Sequence, residues 1–322
     1  MTTSEPAERS GAQGSPRANA DGGSGGAKPP GHDLNATVSV NGRITDAASA
    51  VVSVFDHGFL YGEGVYETLR TYHGEPFLYE RHARRLRHSS ELMALPVPFE
   101  DAALLADIRK TIAAHPGGLP ESYIRVLLTR GVGELTYNPT ATPVPTVVII
   151  VKPFPAPPAR TFTEGITLSL VSVRRNHPLA LNPMIKSNNL LNNALAMQEA
   201  LKRGADEALM RNQAGDIVEC SQSNFFIVKN GVALTPPLEA GLLPGITREF
   251  VLEVAAELGI PARETRLTPD DLRTADEAFI TGTTREVTPV VRVDDLTIGN
   301  GRLGGITSRL LSRFRERVPT AR

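Results

Sequence analysis

The stretch Pro-Met-Ile-Lys-Ser-Asn-Asn, residues 183–189, lies where an apolar, strand-like run gives way to the pattern of a long amphipathic helix. A cation at the start of a helix is electrostatically unfavourable, because the positive end of the helix dipole lies there. Lys186 is therefore either an ordinary solvated lysine or a reactive amine that an aldehyde can turn into a covalent anchor. Residues further along the chain favour the second interpretation.

A carboxylate and a polar segment follow at the end of a predicted hairpin. Glu219 closes the hairpin, and the polar run at 221–224 directly precedes the apolar run at 225–227. This order indicates a strand end that points into a polar cavity, whereas an isolated hairpin carboxylate is more often exposed to solvent. A buried carboxylate would keep a pyridine nitrogen protonated, because the two opposite charges stabilise each other.

Small hydrogen-bond donors occur in two further places. Residues 243–247, Leu-Pro-Gly-Ile-Thr, open a predicted helix with Thr247 as its N-cap, and the unpaired N–H groups of a helix start attract phosphate. Gly282-Thr283-Thr284 ends an apolar strand, and Arg85 on a basic helix face could supply a fixed cation. Each motif also has an ordinary interpretation as a helix start or a solvated charge. Together with the amine and the carboxylate, they predict the cofactor pyridoxal 5'-phosphate.

The composition excludes several other classes of function. The chain has 322 residues, of which 41% are apolar and 21% charged, and its net charge of -1 leaves no basic excess for nucleic acid. Cys220 is the only cysteine, which rules out an internal disulfide and fits a reducing compartment. No apolar run reaches the roughly 18 residues that a membrane span needs. We expect a cytoplasmic protein that binds neither nucleic acid nor membrane, and we assign no metal ligands.

Changes in composition divide the chain into segments. Residues 1–35 are rich in Gly, Ser, Pro and Ala, lack the apolar core of a secretory signal, and are predicted to be a disordered tail. Residues 36–152 are predicted to form a small α/β domain, and a proline-rich linker at 153–162 leads to a larger domain at 163–318. The fold class is therefore α/β, or more broadly α+β. The predicted elements include strands at 64–72, 123–129, 146–151 and 166–173, and helices at 80–92 and 188–203.

Taken together, the ordered motifs resemble those of the class IV, fold-type IV pyridoxal-phosphate aminotransferases, from Ala36 to the C-terminus. The motifs that carry this resemblance are residues 56–67, 82–86, Lys186, 219–226, 243–248 and 279–290. The resemblance implies that Lys186 is the Schiff-base lysine and Glu219 the partner of the pyridine nitrogen. It implies two α/β domains with the cofactor between them, and a homodimer whose partner subunit helps to close each site. The phosphate grip that it implies consists of Arg85, Ile246, Thr247 and Thr283.

Within this family the chain looks like the branched-chain aminotransferases. Tyrosine rings would provide apolar walls for valine, leucine or isoleucine, and an arginine could accept the side-chain carboxylate of glutamate or 2-oxoglutarate. The alternative for Arg125 is a place on the outer face of its strand, in contact with water alone. The substrate-binding residues that the resemblance implies are Tyr61, Tyr66, Arg70, Tyr123, Arg125 and Thr284.

Two residues depart from that branch. Thr68 lies where aminodeoxychorismate lyases of the family have a threonine, and Arg285 lies where branched-chain enzymes usually have a small residue. We expect ping-pong transamination between a branched-chain L-amino acid and 2-oxoglutarate. The alternatives are an aminodeoxychorismate lyase or a transaminase of D-amino acids or R-amines. A non-enzymatic alternative is a binding module that inherited this fold, in which Lys186 is unreactive.

Overall fold

Two β-sheets with helices packed against them make up residues 34–319, the part of the chain that the computed structural model describes. The tail predicted at 1–35 lies outside the described residues up to residue 33. The mixed α/β class is confirmed by the alternation of helices and strands along the chain.

The first sheet is antiparallel throughout. Its strands are β1 (Thr37–Val40), β2 (Arg43–Asp46), β3 (Gly64–Tyr72), β4 (Glu75–Pro76), β5 (Ser122–Thr129) and β6 (Thr146–Pro153). They lie in the order β2-β1-β6-β5-β3-β4. The helices of this part are α1 (His57–Leu60), α2 (Tyr79–Leu92) and α3 (Asp101–Ala113).

Alternation along β3 and β5 decides which side chains are available to a site. Val65 and Leu69 of β3, like Ile124 and Val126 of β5, are buried in an apolar layer with side chains of α2 and α3. Successive side chains of a strand point to opposite faces. The opposite face of these two strands therefore carries Tyr66, Thr68, Tyr123 and Arg125.

The second sheet mixes parallel and antiparallel pairs. Its strands are β7 (Ile166–Arg174), β8 (Glu207–Arg211), β9 (Ile217–Cys220), β10 (Asn224–Lys229), β11 (Val232–Thr235), β12 (Ala262–Glu264), β13 (Glu277–Gly282), β14 (Glu286–Val293) and β15 (Leu296–Thr297). The order is β12-β11-β10-β13-β14-β7-β8-β9, with β15 beside β14. Because β9 also pairs with β10, through Glu219 opposite Asn224, the strands from β10 to β9 close into a ring.

Helices are interspersed with these strands along the chain. They are α4 (Ala159–Thr163), α5 (Leu191–Lys202), α6 (Ile246–Glu257), α7 (Pro269–Arg273) and α8 (Gly305–Arg317). An aromatic cluster joins the strands to α6 and α8: the rings of Phe226 and Phe279 stack at 4.7 Å, and Phe250 and Phe314 meet edge to face at 5.4 Å. This packing fixes the start of α6, one of the predicted donor turns.

Two expectations from the sequence about helix starts need correction. The helix predicted at 188–203 begins only at Leu191, because residues 187 and 188 bond to the first sheet instead. Thr247 is not the N-cap of α6; Gly245 is, and Thr247 lies in the first turn. Helices α3 and α8 were not predicted at all. The division into domains at 36–152 and 163–318 remains a prediction.

Candidate active site

A cavity of about 570 Å³ is lined by residues of β3 and β5 in the first sheet, by Arg85 of helix α2, and by residues of the ring that the second sheet forms. Ten of the twelve residues proposed from the sequence line it. They are Lys186, Glu219, Arg85, Ile246, Thr247, Thr283, Tyr66, Tyr123, Arg125 and Thr284. Residues separated by up to about two hundred positions in the chain therefore surround one space.

Tyr61 and Arg70 do not line this cavity. The Arg70 side chain points to the same face of β3 as Tyr66, but it is four residues further along, about 13 Å away at the rise of a strand. There its guanidinium donates to Glu286 Oε1 at 3.0 Å and lies 3.9 Å from the centre of the Tyr72 ring. Tyr61 follows α1, and its ring contacts Tyr137 at 5.0 Å.

Lys186 is held by hydrogen bonds to strand β3 and to helix α2. Its backbone carbonyl accepts a hydrogen bond from Tyr66 N–H at 2.9 Å, and its own N–H donates to Ser89 Oγ at 3.1 Å. The Lys186 Nζ atom lies 4.5 Å from the centre of the Tyr66 ring. Since α5 begins five residues later, at Leu191, the unfavourable helix dipole that the sequence suggested does not act on this amine.

Glu219 is buried at the end of β9 and bonded on both oxygens. Its Oε1 accepts from Arg175 Nε at 2.7 Å, and its Oε2 accepts from Leu243 N–H at 3.1 Å and from Asn224 Nδ2 at 3.3 Å. Burial raises the pKa of Glu219, and the ion pair with Arg175 and the Leu243 hydrogen bond act in the opposite direction. A cation brought to this carboxylate would stabilise its ionised form further.

Arg85 and the start of α6 also line the cavity and lie beside each other. Arg85 Nη1 donates to the carbonyl of Pro244 at 2.9 Å, directly before the N-cap Gly245. A Cβ at Gly245 would stand 1.8 Å from Asn224 Oδ1, so this turn can approach β10 only without a side chain. The first N–H groups of α6 have no partner within the helix, and they carry its positive dipole end.

These groups fit pyridoxal phosphate by the chemistry of the donor set. One cavity holds an amine for the aldehyde, a buried carboxylate for the ring nitrogen, and a guanidinium beside a helix start for the phosphate. Thr281 Oγ1, which also lies at the cavity, is buried without a hydrogen-bond partner among residues 34–319. Within the same residues, no group of three His, Cys, Asp or Glu side chains is placed to hold a metal ion.

Sequence reasoning missed two residues that support Glu219. Arg175 follows β7, and Asn224 begins β10; both are buried. A buried arginine leaves no periodic trace in the sequence, so nothing signalled Arg175. Asn224 stood in the polar run 221–224 and could have been selected by its position at a strand end.

No helix within residues 34–319 is long and apolar enough to cross a membrane.

Comparison with known proteins identifies the family. The profile of the Amino-transferase class IV family matches residues 64–293, and the chain belongs to this family of pyridoxal-phosphate enzymes. A Methanocaldococcus jannaschii protein, named as a candidate branched-chain-amino-acid aminotransferase, is 41% identical over 279 residues, 87% of this chain and 95% of that protein. The D-alanine aminotransferase of Listeria innocua is 35% identical over 286 residues, 88% of this chain and 96% of the enzyme.

A solved structure of an aminotransferase has the same fold. The crystal structure of the branched-chain amino acid aminotransferase of Escherichia coli superposes with a TM-score of 0.83 at 34% identity, over 88% of this chain and 94% of that one. The chain is therefore an aminotransferase, and the non-enzymatic alternative is not supported.

Proposed function

We propose that the chain transfers an amino group between a branched-chain L-amino acid and 2-oxoglutarate, in a ping-pong reaction with pyridoxal 5'-phosphate. The observation that carries the proposal is the set of side chains that line the cavity. An amine, a buried carboxylate and the Arg85 guanidinium surround it, and Tyr66, Tyr123 and Arg125 form one wall. The similarity to proteins named branched-chain aminotransferases supports the same choice.

The residues divide the work of holding the cofactor. Lys186 would bond it covalently, Glu219 would face its ring nitrogen, and the phosphate would lie against Arg85, the start of α6 and Thr283. When bound, the cofactor supplies a protonated ring that withdraws electrons from the substrate α-carbon. The buried Glu219 keeps a positive charge at that ring favourable, because the attraction is little screened away from water. The Lys186 amine then moves a proton at the substrate α-carbon as a positioned base.

The wall of the first sheet would select the substrate. The rings of Tyr66 and Tyr123 offer apolar surface to a branched side chain. The Arg125 guanidinium lies 4.0 Å from the centre of the Tyr66 ring, and no carboxylate in the described part of the chain pairs with it. A cation without a counter-ion at a cavity wall suits the side-chain carboxylate of glutamate, while the same wall can bind leucine through the tyrosines.

A pair of half-reactions tests this assignment. In Arg125→Met, we expect the single-turnover kcat/KM for L-glutamate to fall by about 10- to 100-fold, the value of a charge-assisted hydrogen bond, and that for L-leucine to change little. Arg84→Met, an exposed position on α2, is the matched control and should change neither. Equal losses for both amino acids would refute the role of Arg125, and turnover of neither would refute the substrate class.

A second candidate is supported by Thr68. This residue lies on the cavity wall opposite Arg125 in the pairing of β3 with β5, and it gives the wall a hydroxyl beside the tyrosines. The similarity to a D-alanine aminotransferase points in the same direction. Transamination of a D-amino acid or an R-amine, or aminodeoxychorismate lyase activity, is therefore the alternative. A panel of L-leucine, D-alanine, an R-amine and aminodeoxychorismate decides between them.

We also propose that the chain works as a homodimer. Exposed apolar side chains occur in the segments 51–59 and 132–137, which a bridge between Asp56 and Val132 joins, and Tyr61 lies beside Tyr137 of the second segment. A second copy over this surface would remove it from water. Sedimentation equilibrium should give twice the chain mass, and a monomer with full activity would refute the proposal. The exposed apolar residues of this surface are Val51, Val52, Phe55, Phe59, Leu135 and Tyr137.

A further inference from the structure

A carboxylate is buried in the apolar layer behind the cavity wall. Glu67 of β3 is 1% exposed and shares its face of the strand with Val65 and Leu69, which pack against α2. An ionised group in such a layer is costly unless it is paired and hydrogen-bonded. Its partners are therefore informative about why it is there.

Within residues 34–319, the side chains that pair with the Glu67 carboxylate both lie on α2. Arg85 donates to it twice, from Nε to Oε1 and from Nη2 to Oε2, both at 2.7 Å, and His82 Nδ1 lies 2.6 Å from Oε2. Burial alone would raise the pKa of Glu67, but the Arg85 and His82 side chains outweigh it and bring it to about 2. The ionised carboxylate only accepts hydrogen bonds, so His82 carries its proton on Nδ1.

Arg85 keeps two N–H donors that its hydrogen bonds within the protein do not use. A guanidinium has five N–H donors. Glu67 takes one on Nε and one on Nη2, and the Pro244 carbonyl takes one on Nη1. One N–H on each terminal nitrogen is left over, and the residue lines the cavity beside the start of α6. Two such donors match a phosphate in the bidentate geometry that arginine favours.

We infer that Glu67, supported by His82, is a positioning residue that holds Arg85 in this orientation and thereby sets the affinity of the site for the phosphate of the cofactor. The inference rests on the proposed use of pyridoxal 5'-phosphate. Glu67 bonds to the Nε and Nη2 atoms of Arg85 and does not itself line the cavity, so its effect reaches the phosphate through Arg85.

The direction in which removal of the Glu67 charge changes phosphate binding distinguishes an effect of charge from an effect of position. A negative charge behind Arg85 repels a phosphate, so its removal would tighten phosphate binding if charge alone mattered. If position matters more, removal weakens binding. In Glu67→Gln the amide presents N–H groups to the guanidinium where the carboxylate accepted two hydrogen bonds, and the orientation of Arg85 is lost.

The test compares two ligands, pyridoxal 5'-phosphate and pyridoxal, which differ only in the phosphate. Calorimetric titration of the cofactor-depleted full chain gives both dissociation constants. The dissociation constant of pyridoxal divided by that of pyridoxal 5'-phosphate measures the contribution of the phosphate to binding. We expect Glu67→Gln to reduce this ratio by about tenfold or more, the value of a charge-assisted hydrogen bond, with pyridoxal binding unchanged. In an Arg85→Ala background the same substitution should change the ratio by less than about twofold.

Glu63→Gln is the matched control. Glu63 precedes β3 and also pairs with a histidine and an arginine, His57 at 3.1 Å and Arg130 at 3.3 Å, but it does not line the cavity. Its ratio should equal that of the wild type. Should Glu67→Gln fail to fold, Glu67→Asp keeps the charge but withdraws the carboxylate by one methylene, and it should also reduce the ratio.

The outcomes separate this inference from the function on which it rests. A wild-type chain that binds both ligands equally would overturn the proposed phosphate site as a whole. A wild-type preference for pyridoxal 5'-phosphate that Glu67→Gln or Glu67→Asp leaves unchanged or increases would overturn the positioning role alone.

Discussion

The buried Glu67 should make the stability of this protein depend on pH in a predictable way. Its pKa falls from 4.5 to about 2 on folding, and at about 1.4 kcal/mol for each pH unit this corresponds to about 3 kcal/mol. The residue is 1% exposed, so solvent screening reduces this value little. Because the folded state binds the proton more weakly than the unfolded state, the contribution is complete above pH 4.5 and is lost as the pH falls towards 2.

Urea unfolding of the wild type and of Glu67→Gln at a series of pH values measures this contribution. We expect the difference in unfolding free energy to be largest near pH 7 and to shrink by about 3 kcal/mol between pH 4.5 and 2. Glutamine also leaves Arg85 with an uncompensated charge, but that cost does not vary with pH because arginine stays protonated. A difference that is constant from pH 7 to 2 would refute the ionised, ion-paired state of Glu67.

Four further substitutions test the site and the core. Lys186→Ala should abolish covalent attachment of pyridoxal phosphate and nearly all turnover; a borohydride-reducible cofactor in this variant would contradict the assignment. Glu219→Gln should retain the cofactor but slow proton removal by about 10²- to 10³-fold, the cost of one lost charge-stabilising group, as measured by single-turnover absorbance. Gly245→Ala should weaken cofactor binding in calorimetry, because its Cβ would collide with Asn224. Phe279→Ala should lower the free energy of unfolding by about 3 to 5 kcal/mol in urea, because it removes a fully buried ring. An unchanged urea midpoint would contradict this expectation.

Some properties of this protein follow from the sequence alone. The alternation of Val65, Glu67 and Leu69 with Tyr66 and Thr68 separates the two faces of β3, whatever the strand packs against. The strands at 64–72, 123–129 and 146–151 were predicted within two residues, because their patterns are local and periodic. The motifs around Lys186, Glu219 and Arg85 likewise sufficed to predict the family and ten of the residues around the cavity.

Other properties were decided only by the tertiary structure. Glu219 bonds to Arg175 across 44 positions in the chain, and Arg85 bonds to the Pro244 carbonyl across 159. Arg70 has the same pattern of neighbours as the residues of the cavity wall, yet it pairs with Glu286. Periodicity records which side of an element is apolar, since that preference acts over a few residues. The partner of a buried charge depends on which elements meet, and no local pattern contains that information.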